Sequence, residues 1–272
     1  MTERGRGDAR PTILLYTQTV NPFSEKVAAA LALKALAFER VISDDPDDVA
    51  RWSPIARTLP VLEVEGRRRA DSKAILAWID ELAPAPSLYS SDPRTAVAQK
   101  SLAQWAEDSF LWYWNRWRTA RYPRPGDEAP PDDSLLARLR HRVERSVGRP
   151  FGRGPASRAE QRELEVVGEI EDRLSDLVGF LGTRPYFHAD TPSIADLSIY
   201  SFLVVLRGGA IPGCAEAIEE RPTLTTFIDR MGAQIAQSSA PSAADPAAPG
   251  RAEPRAHPVL ASVDGIADEE TG

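Results

Sequence analysis

Apolar positions follow a short-strand and amphipathic-helix pattern up to about residue 83, and a purely helical one beyond it. Ile13, Leu14, Leu15 and Tyr16 form a short apolar run of the kind a buried strand carries. Asn21-Pro22 signals a turn, and Pro22 suits the first turn of a helix. That helix is expected to reach residue 36, with Val27, Leu31 and Ala35 on one face. Residues 38–43 read as a second strand, and residues 44–52 as a short acidic helix. Residues 59–64 are rich in branched side chains, Glu65-Gly66 supplies a turn, and residues 67–70 make a short return strand. Asp71-Ser72 has the chemistry of a helix N-cap. Ile75, Leu76, Ile79 and Leu82 then recur at helical spacing. The predicted order is β-α-β-α, a β-hairpin, and a helix.

Pro84-Ala85-Pro86 ends that helix, and residues 84–93 read as a linker. Helices are expected at 96–121, 134–147, 156–181, 193–206 and 223–231. The segment 193–206 is apolar on nearly all sides, as a buried central helix would be. From about residue 236 the chain is Ala, Pro, Ser and charge, too poor in apolar surface to offset ordering entropy, so disorder is predicted to residue 272.

Composition narrows the class. The 272 residues suffice for two modest domains, and 42% hydrophobic with 27% charged residues is an ordinary globular balance. A net charge of -7 argues against a chain-wide nucleic-acid surface. Cys214 alone cannot build a disulfide scaffold or a cysteine metal cluster, and His141, His188 and His257 show no metal spacing. Residues 1–11 read as a flexible leader without the apolar core of a signal peptide. No apolar run approaches the roughly 20 residues that span a bilayer, so a cytoplasmic location is expected. Abundant Ala, Arg, Pro and Gly suggest a GC-rich bacterial genome.

Candidate chemistry concentrates in residues 57–75, where a proline at a strand edge stands near a capped helix N-terminus. That combination suits a small anionic peptide. Leu59-Pro60, Asp71-Ser72 and the capping box running from Ser193 to Asp196, in this order across two differently built halves, resemble the cytosolic glutathione transferase family. The resemblance covers residues 12–232. It implies an α/β thioredoxin-like domain at 12–83, a linker at 84–93, and an all-α helical domain at 94–235. It also implies glutathione as co-substrate with no tightly bound cofactor, and a homodimer.

By that resemblance Leu59 and Pro60, the latter in a cis peptide, grip the cysteinyl part of glutathione as an added strand. Asp71 and Ser72 hold its γ-glutamyl end, and Arg57 or Arg51 faces its glycine carboxylate. The segment from Tyr16 to Ser24 holds the group that activates the thiol. It has no cysteine, so mixed-disulfide chemistry is not expected. Asn21 ranks first as donor to the thiolate, then Thr19, with Thr17 and Ser24 behind; Tyr16 lies inside the apolar run and reads as core. Lowering a thiol pKa by two units takes about 2.7 kcal/mol, close to one hydrogen bond to a charged group. An electrophile is placed against Trp105, Trp112, Tyr113 and Arg116, although core and subunit packing also explains most of these aromatics. The implied activity is thiol transfer to an apolar or aromatic electrophile. Alternatives on the same fold are a glutathione-dependent isomerase, lyase or dehalogenase, and a non-catalytic binding module. Arg138, Arg140, Arg142, Arg145, Arg149 and Arg153 form a basic patch that reads as a solvated insertion.

Overall fold

The structure is a computed structural model and describes residues 11–121 and 158–239. Residues 1–10 of the leader, the segment holding the six arginines from Arg138 to Arg153, and the tail beyond Ser239 lie outside the described residues.

The N-terminal half runs β1 (Ile13–Thr17), α1 (Pro22–Leu33), β2 (Glu39–Ile42), α2 (Pro46–Trp52), β3 (Val61–Val64), β4 (Arg67–Ala70) and α3 (Ser72–Leu82). The sheet order is β2-β1-β3-β4, with β1 parallel to β2 and the other pairs antiparallel. This is the expected thioredoxin-like arrangement. Two registers set up the site. Tyr16 pairs with Val61, so the chain leaving β1 passes the chain entering β3. Val61 pairs with Ala70, so Pro60 and Asp71 are neighbours beyond the end of that ladder.

Helix α1 departs from the expected one-sided pattern. Val27, Leu31 and the alanines at 28, 29, 30 and 32 are all buried, because α1 is wedged between α3 and two helices of the C-terminal half. Its alanines leave room for neighbours on every side. The helix stops at Leu33, and Ala35 turns back in a left-handed conformation at φ 53° instead of extending the apolar face.

Lys34, just past that stop, ties the N-terminal half to the linker. Its buried Nζ donates to Asp80 Oδ1 at 2.5 Å, to the Ala83 carbonyl at 2.7 Å and to the Pro86 carbonyl. Asp80 also accepts from the Leu88 N–H at 3.1 Å. Lys34→Met strands these acceptors and is expected to cost about 2 kcal/mol. Urea denaturation checks this; a loss indistinguishable from zero would show the knot to be dispensable.

The second half is helical: α4 (Pro93–Arg121), α5 (Arg158–Leu181), α6 (Ile194–Arg207), α7 (Cys214–Glu219) and α8 (Pro222–Ser239). The buried α6 packs against α1 and α4, and Leu197, Ile199, Phe202 and Leu203 continue the core of the sheet half without a break. A smaller cluster of Tyr16, Val49, Leu59 and Val61 lies apart from that core. Helix α7 was not expected, since six residues are too few to show a period. Helix α8 runs eight residues past its expected end, with Ile235 packed on the core, so residues 236–239 are helical and not part of a disordered tail. Burial pushes the Cys214 thiol up to about 12, which leaves it inert as a nucleophile.

Candidate active site

The site forms where the β1–α1 turn meets the entry to β3. Asn21 is the N-cap of α1, and its Oδ1 accepts from the Ser24 N–H at 3.1 Å. Its Nδ2 donates to the Leu59 carbonyl at 3.2 Å and makes a long contact of 3.5 Å with Gln18 Oε1. One side chain thus joins a helix N-terminus to the Leu59-Pro60 turn, whose peptide bond is cis. The Leu59 carbonyl was expected to be free for a ligand. It already accepts one hydrogen bond, although a carbonyl oxygen has room for a second.

The hydroxyls of this segment are engaged or sealed. Thr19 donates through both its N–H and its Oγ1 to the carboxylate of Asp44. Thr17 is buried and donates to the Gln18 carbonyl at 3.0 Å. Ser24 is 0% exposed, and its Oγ has no partner among the described residues. Tyr16 donates to Glu63 Oε2 at 3.0 Å and accepts from Arg68 at 3.1 Å. Burial and the Glu63 carboxylate push its phenol above the ordinary value, away from ionisation near neutral pH.

Asp71 caps α3, with Oδ1 accepting from the Lys73 N–H at 3.0 Å. Its backbone sits at φ 71°, ψ 114°, outside the regions a non-glycine residue favours. Such strain, of order 1–3 kcal/mol, is commonly held at ligand-binding positions. Ser72 follows, largely buried at the first helical turn. Arg57 is exposed, also with a left-handed backbone at φ 51°, and Arg51 is exposed on α2.

Beneath this site lies a buried charged cluster that joins the two halves. Lys26 of α1, 1% exposed, donates to Glu107 Oε1 of α4 at 2.8 Å. Ser198 of α6 donates to the same oxygen at 2.8 Å. Lys73 of α3 stands 3.8 Å from Glu107 Oε2 and also reaches Gln104. Burial lowers the pKa of Lys26, and the Glu107 carboxylate opposes that shift. Sequence reasoning passed over this cluster and Gln18. A lysine inside an alanine-valine run and a glutamate between Ala106 and Phe110 were the available signals.

Of the four aromatic and basic side chains expected to hold an electrophile, three engage α5 on the far side of α4 from this cluster. Trp105 meets Phe180 edge-on at 5.2 Å, Tyr113 accepts from Arg173 at 3.3 Å, and Arg116 pairs with Glu169 at 2.5 Å. Trp112 is exposed beneath the Arg116 guanidinium, 4.4 Å from its ring centre. The α4 stripe that faces the sheet half holds Gln104 and Glu107; helical spacing continues it to Leu111 and Trp114. Phe23, two residues past Asn21, stacks edge-on against Phe202, which in turn stacks on Phe110.

Comparison with known proteins matches the N-terminal half to a known domain family. The glutathione S-transferase N-terminal domain family matches residues 21–82. A probable glutathione S-transferase from Solanum tuberosum is 30% identical over 97 residues, which is 35% of this chain and 45% of that protein. A probable glutathione S-transferase GSTU1 from Oryza sativa subsp. japonica is 31% identical over 103 residues, covering 35% of this chain and 45% of its own length. The chain thus spans less than half the length of these curated relatives. Both are plant proteins, so the bacterial origin suggested by composition finds no support in them. Among solved structures, the beta-etherase LigF from Sphingobium sp. strain SYK-6 superposes with a TM-score of 0.58 at 21% identity, over 84% of this chain and 98% of that one. Rice GST1 in complex with glutathione gives 0.57 at 19% identity, over 85% and 91%. The turn joining Asn21 to Leu59 and the strained cap at Asp71 both lie within residues 21–82, the stretch that matches the N-terminal domain of the glutathione S-transferase family, and the helical half behind them shares the fold of the solved glutathione transferases.

Proposed function

We propose that this protein is a glutathione transferase, which binds glutathione at the Leu59-Pro60 and Asp71-Ser72 corner and directs its thiolate onto an apolar or aromatic electrophile. The observation that carries this reading is the convergence of two helix N-termini on one strand entry. Asn21 ties α1 to Leu59, and the pairing of Val61 with Ala70 brings the α3 cap alongside. Helix N-termini offer free N–H groups and partial positive charge to carboxylates and thiolates. The strained Asp71 carboxylate is available to the ligand ammonium group, and Ser72 to its carboxylate.

The reaction then needs little from the protein beyond thiol ionisation and alignment with the electrophile. In this reading the electrophile lies against Leu111 and Trp114, the apolar continuation of the α4 stripe that begins with Gln104 and Glu107. Arg57 is exposed beside the same corner and suits the glycine carboxylate. The active form is a homodimer in this reading, supported by the exposed Trp112 and Phe180 on the outer face of α4 and α5. Among the described residues no helix is long and apolar enough to cross a membrane.

Calorimetry with glutathione tests the proposal directly, and an absence of binding would overturn it. Ser72→Ala is expected to weaken that binding about tenfold, the worth of one hydrogen bond to a carboxylate. An unchanged affinity would remove Ser72 from the site. Mass spectrometry of the product with a model aryl halide separates the chemistries. A retained glutathione adduct marks a transferase, and a product free of glutathione marks an isomerase, lyase or dehalogenase.

A further inference from the structure

We propose that Gln18 is the catalytic residue that hydrogen-bonds the glutathione thiolate, with Asn21 as its positioning residue; this rests on the glutathione reading above. Every other side-chain donor of the β1–α1 segment is either committed to a partner or buried. Thr19 is held by Asp44, Thr17 donates to a backbone carbonyl, and Tyr16 donates to Glu63. The Ser24 hydroxyl is fully buried, so no ligand atom reaches it. Asn21 directs one Nδ2 hydrogen to the Leu59 carbonyl at 3.2 Å and the other towards Gln18 Oε1 at 3.5 Å, while its Oδ1 holds the Ser24 N–H.

Gln18 is different. Its Oε1 faces Asn21, so Nε2, in the same plane, is directed the other way with its hydrogens unclaimed among the described residues. The side chain is half-buried, neither sealed like Ser24 nor exposed like Thr19. In the glutathione reading the cysteinyl backbone pairs with Leu59, and its sulfur then lies near the groups that touch the Leu59 carbonyl. Asn21 is one of those groups, and Gln18 is the next side chain outward. An amide N–H donated to a thiolate is a charge-assisted bond, strong enough to shift a thiol equilibrium ten- to hundredfold on the scale of about one such bond. The N-terminus of α1 adds its dipole at the same place. Asn21 acts indirectly by fixing which end of the Gln18 amide faces the ligand.

The test is a spectrophotometric pH titration of the thiolate of glutathione bound to the full-length protein. Gln18→Ala is expected to cut the thiolate fraction at neutral pH about tenfold, with the dissociation constant for glutathione nearly unchanged. Gln18→Glu, which keeps the length but replaces the donor with a carboxylate, is expected to cut it further. Asn21→Ala is expected to give a smaller cut, since the Gln18 donor remains but is free to turn. If Gln18→Ala and Gln18→Glu ionise the bound thiol as the wild type does, the assignment of Gln18 is overturned while the transferase reading stands. If the wild type binds no glutathione at all, both are overturned.

Discussion

Glu107→Ala is expected to destabilise the protein by about 3–5 kcal/mol, because it leaves the Lys26 ammonium buried without a counter-charge. The side chains of this pair are 1% and 7% exposed, so solvent screens little of the loss. The carboxylate is held at one oxygen by Lys26 and Ser198, both at 2.8 Å, and these come from different halves of the chain. Its removal therefore breaks a link among α1, α4 and α6, and it costs more than a helix-surface pair would. The double variant Lys26→Met with Glu107→Leu should recover most of the loss, since apolar groups of similar volume remove both charges from the interior. Chemical denaturation of the single and double variants measures this. A single variant that loses less than about 1 kcal/mol would mean that Lys26 finds water or another partner on its own. The Lys73 contact, longer at 3.8 Å and half-exposed on the lysine side, is expected to add little.

Asp196 is expected to give the protein a stability that falls as pH rises through the weakly acidic range. Its carboxylate caps α6, accepting from the Ser193 N–H at 2.8 Å, the Ser193 hydroxyl at 2.7 Å and the Phe187 N–H at 2.8 Å. Burial outweighs these bonds and pushes the carboxyl up to about 6. The folded value therefore lies above the unfolded one, near 3.8, and the folded state binds more protons between the two. Its stabilising contribution is complete below about pH 4 and is lost as pH rises through about 6, a change on the order of 2–3 kcal/mol. Unfolding free energies of the wild type and Asp196→Asn, measured across this window, isolate the effect. The variant, which also weakens the cap, should lack this slope. A wild type whose stability rises over the window in parallel with the variant would show that the three hydrogen bonds dominate over burial.

Much of the architecture was readable from local pattern. Short apolar or branched runs bounded by turn residues located the strands, and 3.6-residue spacing located the long helices, which bury one face against the core. Ser193 and Asp196 marked the start of α6, because a cap is a matter of a few adjacent residues. Short-range turn chemistry likewise located Asn21 at the start of α1 and Asp71 at the start of α3. The six-residue α7 and the full length of α8 were not readable, because their helicity depends on packing against α5 and α6 more than on their own periodicity.

The sequence by itself determined the order of elements, the two differently built halves and the corner formed by Leu59, Pro60, Asp71 and Ser72. These depend on residues close together in the chain. Tertiary structure alone decided what each candidate side chain touches. It bound Thr19 to Asp44, sealed Ser24, turned Trp105, Tyr113 and Arg116 towards α5, and joined Lys26 to Glu107 across 81 residues. The physical reason is that a hydrogen bond or ion pair depends on distances of a few tenths of an ångström between groups far apart in sequence. Residue type and spacing place a side chain on a face of its element, and the packing of that element selects its partner.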